Sequence, residues 1–376
     1  MFKTWLAALW PVLGRLRAQM VKELLCVLRD PKSRMVLVGP PIIQLLVFSF
    51  AATLEVRNID VAVYNRDAGR SGQELVQQIA AAPLVRRVHA ASSEAEIATL
   101  IDRQQVLAAL VIPEDFSRER AAGRLAEAQL LLDGRKANSS QVALGYLQAI
   151  TARTGATLAG QPQVEPVALR HAFNPNLVYQ WFVVPSLAGI LVTFITLLVT
   201  ALSIAREREL GTFDQLLVSP CTPMEIIVAK MLPAFLIGTV FATVMVGAGI
   251  LLFGIPFTGS FGGLFACLLL FILSMVGTGL MISAACSTQQ QAILGTFALA
   301  VPAVLMSGFA TPVENMPEML QWAAEGLPLK HFLIILRGSF LKAMPAEDLW
   351  ANAWPMACIA AVTLGLATLS VRSKLQ

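Results

Sequence analysis

Apolar residues run through this chain in long unbroken blocks. Met35–Leu54 holds 20 residues without Asp, Glu, Lys or Arg, Leu177–Ala205 holds 29, Leu349–Val371 holds 23 and Met231–Val313 holds 83. A helix needs about 20 apolar residues to cross a bilayer, so the longest block has room for three. It is interrupted where such helices would turn, at Gly254-Ile-Pro-Phe-Thr-Gly-Ser260 and Ser287-Thr-Gln-Gln-Gln291. The pattern predicts an α-helical polytopic membrane protein with six transmembrane helices, at 35–54, 177–204, 226–253, 261–286, 290–311 and 349–371. The first run is too long and starts too deep for a cleaved signal peptide, and reads as a retained anchor.

Between the first two spans the pattern changes. Ile59–Tyr64, Val85–His89, Val106–Ile112, Ala128–Leu132 and Val167–Ala172 read as strands from their β-branched and alternating content. Ser71-Gly-Gln-Glu74 and Ser93-Glu-Ala-Glu96 read as capping boxes that start helices, and Asn138 as the cap of a longer helix to about Thr154. Residues 55–175 therefore form an α/β domain inserted between spans one and two. His89 and His171 stand there without ligand-spaced partners.

Charge placement gives the topology. Residues 55–175 carry 26 of the 52 charged side chains, 13 of each sign, so the net +4 belongs to the rest of the chain. With no concentrated basic face, nucleic acid is excluded as a partner. Basic residues gather ahead of the first span, after the second (Arg206, Arg208, Lys230) and in the tail (Arg372, Lys374). By the positive-inside rule both termini are cytoplasmic. The α/β domain and the 312–348 segment then lie outside the cytoplasm.

Two cytoplasmic segments carry candidate chemistry. Residues 1–34 contain an amphipathic helix from Trp10. Leu13, Leu16, Met20, Leu24 and Val27 lie on its apolar side, Arg15, Lys22 and Arg29 on other faces, and Asp30-Pro31 stops it. Residues 205–225 begin with Arg206, Glu207, Arg208 and Glu209, which extend the second span into the cytosol. Gly211 breaks the helix at positive φ, Thr212 can cap a short helix, and Thr222-Pro-Met-Glu225 forms a capping box for the third span. On the second span Thr193, Thr196, Thr200 and Ser203 form a polar stripe. It reads either as a wall of a translocation path or as back-bonded, helix-packing hydroxyls.

Lys22-Glu-Leu24 with Arg29-Asp-Pro31, and Arg206-Glu-Arg-Glu-Leu-Gly-Thr212 with Leu216-Leu-Val-Ser-Pro220, resemble the ABC-2 family of exporter permeases. Phe50-Ala-Ala-Thr-Leu-Glu55, Leu132-Asp-Gly134, Trp181-Phe-Val-Val-Pro-Ser186, Cys286-Ser-Thr-Gln-Gln-Gln291 and Pro312-Val-Glu-Asn-Met-Pro317 are similar to a bacterial inner-membrane, multidrug-exporter branch of it. The resemblance implies a connecting helix at the membrane surface (Lys22, Glu23, Arg29, Asp30, Pro31). It implies an ATPase-coupling loop (Arg206, Glu207, Arg208, Glu209, Gly211, Thr212, Asp214) and a partly re-entrant 312–348 segment. A periplasmic adaptor and outer-membrane channel are further partners that such exporters use.

The chain has no Gly-Lys pair, hence no phosphate-cradling loop of the Gly-x-x-x-x-Gly-Lys-Ser/Thr type. It is not expected to be an enzyme or to hold a cofactor or metal. ATP and Mg would belong to a separate ATPase subunit. Six helices are few for a closed path, so a second permease chain, copy or paralogue, is expected. A path poor in charge suits lipophilic or amphipathic cargo. The competing classes are an ion-coupled secondary transporter, which needs ionisable residues at mid-membrane, and a membrane-anchored ligand sensor. In the predicted spans the only charge is Lys230, placed to snorkel to the cytoplasmic surface.

Overall fold

The computed structural model describes residues 2–29, 39–47, 59–124, 126–158, 173–174, 178–213 and 222–375. The chain divides into two compact units, Thr53–Arg170 and a helical unit made of Met1–Ala52 with His171–Gln376.

The helical unit begins with α1, Phe2–Arg29, which starts eight residues before the sequence pattern placed it. It ends ahead of Asp30-Pro31, since the residue before proline is driven out of the helical region. Of the expected span at 35–54, residues 39–47 are described and are helical.

The smaller unit runs β1 (Ile59–Asn65), α2 (Arg70–Ala80), β2 (Val85–Ala90), α3 (Glu94–Asp102), β3 (Ala108–Ile112), α4 (Phe116–Ala121), β4 (Gln129–Leu132) and α5 (Ala137–Leu158). Its sheet has the order β2-β1-β3-β4, with β1 parallel to both neighbours and β4 antiparallel to β3. Period-two alternation splits the core between two faces. Val61, Val63, Leu110 and Ile112 pack with Leu75 and Ile79 of α2 and Leu147 of α5. Ala62, Ala109 and Val111 pack with Ile97 of α3 on the other side. Four expected strands are present; Val167–Ala172 lies outside the described residues.

Of the three expected caps in this unit, one is present. Ser93 accepts from Glu96 N at 3.2 Å and starts α3, although Glu96 returns its carboxylate to Ser92 rather than to Ser93. Ser71 caps nothing, because α2 starts one residue before it, with Gly69 at the N-cap. Asp67 has taken that role. Its carboxylate accepts from Gly72 N at 3.1 Å, from Ser117 N at 3.2 Å and from the Ser117 hydroxyl. Burial alone would raise the Asp67 carboxyl. The hydrogen bonds from Ser117, Gly72 and Gly69 outweigh it and hold the group below the usual carboxylate range. Asn138 falls inside the first turn of α5 rather than ahead of it.

The rest of the helical unit is α6 (Gln180–Glu209), α7 (Pro223–Leu251), α8 (Phe261–Ala285), α9 (Gln289–Met306), α10 (Glu318–Glu325), α11 (Pro328–Leu341) and α12 (Ala346–Leu375). Five of these, α6, α7, α8, α9 and α12, are long and apolar enough to cross a membrane. The protein is therefore a polytopic helical membrane protein. Helix α6 is apolar on all sides and is buried against its neighbours almost throughout. It reaches five residues beyond the expected end at 204, whereas α9 stops at Met306, short of the expected 311. The 312–348 segment folds as α10 and α11, and α11 buries Phe332, Leu333, Leu336 and Phe340 in the same core as α6 and α8. His331 is buried there too, bridging the Glu325 carbonyl at 3.0 Å and Asn352 Oδ1 at 3.3 Å.

Candidate coupling site at the end of the buried helix

Of the charged tetrad that ends α6, Glu207 is turned inward. Glu207 is 7% exposed, with Oε1 2.7 Å from Lys22 Nζ of α1 and Oε2 2.5 Å from Lys230 Nζ of α7. Lys230 is 3% exposed and also reaches Glu23 Oε1 at 3.2 Å and the Ser203 carbonyl at 3.4 Å. Two lysines and two glutamates thus balance one another between three helices. Desolvation opposes the charge of Lys22, but its hydrogen bond to Glu207 and the attraction of Glu207 and Glu23 hold its ammonium above the ordinary value.

Lys230 is not carried out to solvent, then, and neither is Glu207. The physical reason is the same for both. A charge near an apolar core is tolerated when it is paired and hydrogen-bonded, and α1 brings the partners. The faces of α1 follow suit. Glu23 is buried and Arg15 pairs with Glu225 at 2.7 Å, while Leu13, Val21, Leu25 and Leu28 are exposed. Of the apolar side expected on α1, Leu16, Met20, Leu24 and Val27 are partly buried and Leu13 alone is exposed, so the helix docks by that side together with Glu23 and Arg15.

The next two charges grip a different connection. Arg208 Nη1 donates to the carbonyls of Ala284 and Cys286, at 2.9 and 3.0 Å, and so satisfies the open C-terminus of α8. Glu209 Oε2 accepts from Gln289 N at 2.6 Å, at the N-terminus of α9, where the helix dipole favours an anion. Ser283 Oγ accepts from the backbone N–H groups of Ile204 and Ala205. The end of α6 is thereby fastened to α1, α7 and the α8–α9 turn together.

Gly211 then closes the helix. Its φ is +68°, as its place in the sequence predicts. Thr212 N donates to Glu207 O and Gly211 N to Arg208 O, the paired bonds of a Schellman ending. Thr212 Oγ1 is 3.3 Å from the same Glu207 carbonyl. The capping box at Thr222 and Glu225 is formed in both directions. Asp214, Asp30 and Pro31, with the short helix expected after Thr212, lie outside the described residues. Arg206 lies on α6 and Arg29 on α1.

Against this geometry the comparisons can be set. Residues 33–369 match the family described as "ABC-2 family transporter protein". The chain belongs to the ABC-2 family. This permease is 43% identical over 356 residues to the "Probable multidrug ABC transporter permease YbhR" of Escherichia coli, covering 94% of this chain and 97% of that one. It is 26% identical over 377 residues to the E. coli "Probable multidrug ABC transporter permease YbhS", covering 97% and 99%. It is 21% identical over 380 residues to the "Linearmycin resistance permease protein LnrN" of Bacillus subtilis, covering 93% and 97%.

In the ABC-2 permease the threonine stripe is enclosed by its own chain. Thr193, Thr196 and Thr200 are each at most 1% exposed. Thr193 Oγ1 donates to Gly189 O at 2.9 Å and Thr200 Oγ1 to Thr196 O at 2.6 Å. Across from Thr200 stands Gly279 of α8, where an added Cβ would come within 2.7 Å of Thr200 Cβ. This is close helix packing, one of the two readings that the sequence left open. Ser203 belongs with the ion cluster through its carbonyl. Sequence reasoning missed Ser283, Arg15 and the partnership of Glu23 with Lys230. The one available signal was Lys230 itself, a lone charge bordering an 83-residue apolar block.

Proposed function

We propose that this ABC-2 permease is the membrane subunit of an exporter that moves lipophilic or amphipathic compounds out across the bacterial inner membrane. A separate ATPase subunit supplies the energy, and ATP with Mg stays on that subunit. The observation that carries the proposal is the fastening at Glu207. A single short segment ties α1, α6, α7 and the α8–α9 turn, so a push on the 205–225 loop reaches four elements at once. In this reading the first span covers 35–54, making six, both termini are cytoplasmic and the α/β unit faces the periplasm. A second permease chain completes the path. An adaptor and an outer-membrane channel are partners that the multidrug names of the relatives make reasonable.

An ion-coupled transporter is the weaker reading. Such proteins use an ionisable group free to bind and release its ion, whereas Glu207 and Glu23 are committed to Lys22 and Lys230.

Reconstitution tests the proposal. The purified chain in proteoliposomes should neither hydrolyse ATP nor move a lipophilic dye. Addition of the ATPase that co-purifies with it from its host should confer both. Dye movement driven by a proton or sodium gradient, without ATPase, would reverse the assignment.

A further inference from the structure

A second cation, partly buried, sits at the far end of α6. Ser186 lies about 30 Å from Glu207 along the helix at ~1.5 Å per residue, close to the thickness of a hydrocarbon core. There Arg337 of α11 donates Nε–H to Ser186 Oγ at 2.8 Å, and both of its Nη atoms approach the one carbonyl of Gly308, each at 3.3 Å. Its guanidinium lies 4.2 Å above the Phe182 ring. Phe182 in turn stacks on Phe309, with centroids 6.2 Å apart and planes 5° from parallel, and meets Tyr179 at 6.2 Å.

Among the described residues no carboxylate pairs with Arg337. A guanidinium carries five N–H donors. Here one is well used, and the Nη pair shares a single long contact, so donors are left over. The group is partly exposed, as are Phe182, Phe309 and Tyr179. A cation with spare, coplanar donors beside an aromatic wall matches one kind of ligand. That ligand has an anionic oxygen head, carboxylate or phosphate, which accepts a charge-assisted bond from an Nη hydrogen left over, and an apolar body that lies on the rings.

We propose that Arg337, with Phe182, Phe309 and Tyr179, binds the anionic head of an amphipathic molecule. If the permease reading is right, this selects acidic amphiphiles among the cargo. The binding itself does not depend on that reading. The same head chemistry occurs on a cargo molecule and on an anionic phospholipid, and the test separates them.

The full chain would be placed in phosphatidylcholine nanodiscs without ATPase and titrated with 11-(dansylamino)undecanoic acid and with its methyl ester. The acid should bind at least tenfold more tightly than the ester. Arg337→Gln should abolish that preference while leaving the ester's affinity unchanged, which also reports that the slot is still folded. Arg337→Lys should keep part of it. Loss of acid binding on exchanging phosphatidylcholine for phosphatidylglycerol would assign the site to a lipid headgroup; undiminished binding would assign it to cargo. Equal binding of acid and ester to the unmodified chain, or an Arg337→Gln variant that still prefers the acid, would overturn the proposal. So would dissociation of a dimer by Arg337→Gln, because the missing anion would then be a carboxylate of a second copy. Failure of ATP-driven transport with this preference intact would count against the permease reading alone.

Discussion

Lys230 Nζ and Glu207 Oε2 approach to 2.5 Å from opposite helices, α7 and α6, where each side chain is nearly sealed from solvent. Neither helix carries enough partners to keep such a charge alone. Lys22 and Glu23 of α1 add one further charge of each sign, so the pair becomes a neutral cluster of four. Docking of the N-terminal helix and the pairing of the charges at the end of α6 are one structural event.

Removing one member should cost more than removing two. Lys230→Met leaves Glu207 and Glu23 desolvated with Lys22 as their shared partner, and loss of one side of a buried pair costs about 3–5 kcal/mol. The double variant Lys230→Met with Glu207→Gln removes the stranded charge and should recover a part of that loss. Thermal unfolding of the four members of this double-mutant cycle in detergent measures the coupling. Additive losses would mean that the two side chains do not interact. Glu207→Ala should accordingly lower stability as well as ATPase coupling, which a surface carboxylate would not do.

Gly211 isolates a backbone effect. A Cβ there would meet nothing within 4 Å, yet φ is +68°. Gly211→Val should therefore cost about 1–3 kcal/mol through backbone strain alone, enough to misdirect the loop and too little to unfold the chain. Gly211→Asn should be tolerated, since Asn enters the left-handed region readily. ATPase stimulation in the reconstituted complex should fall at least tenfold for Val, corresponding to about 1.4 kcal/mol, and stay close to normal for Asn.

The legibility of these features follows their range in sequence. Five of the six expected spans, the 254–260 turn, the Thr222–Glu225 box and the glycine at 211 are local patterns, and each is present close to where the sequence puts it. The contacts that make the site are not local. Lys230 finds Glu23 across 207 positions and Arg208 finds Cys286 across 78. No periodicity encodes such pairs. Surface rules were also misleading, because charges beside an apolar core turn inward once they are paired, as Glu23, Glu207 and Lys230 do. Asp67 shows the same limit on a smaller scale. A Ser-x-x-Glu pattern was present at Ser71, but a carboxylate two residues before the N-cap, held by Ser117 from a later element, had already taken the amide.

Asp67 sets a pH dependence for the smaller unit. Its folded carboxyl is held below the ordinary value, so the unfolded state binds the proton more readily. The stabilisation is complete above the unfolded value of about 3.9 and is lost as pH falls through the lower folded value. Hydrogen exchange at Gly72 N in the full chain should stay protected from neutral pH to about 4 and accelerate below it. Asp67→Asn should cost about 1 kcal/mol and flatten that acid response.

Thr200 and Gly279 separate packing from transport. The Thr200 hydroxyl donates to a carbonyl of its own helix, and the side chain fills the space opposite a residue that has none. Thr200→Val keeps nearly the same shape and gives up one back-bond, worth about 1 kcal/mol. It should leave assembly and the relative export of different dyes unchanged. Gly279→Ala drives a methyl to 2.7 Å from Thr200 Cβ and 3.1 Å from Leu197 O. A backbone oxygen on a buried helix cannot step aside, so the cost is that of overpacking, about 1–3 kcal/mol, read as a lowered unfolding temperature. Pairing Gly279→Ala with Thr200→Gly should return part of the loss by clearing the nearer obstacle, Thr200 Cβ. If instead Thr200→Val shifts the ratio of exported dyes while stability holds, the stripe faces cargo, and the enclosed packing described here opens during the transport cycle.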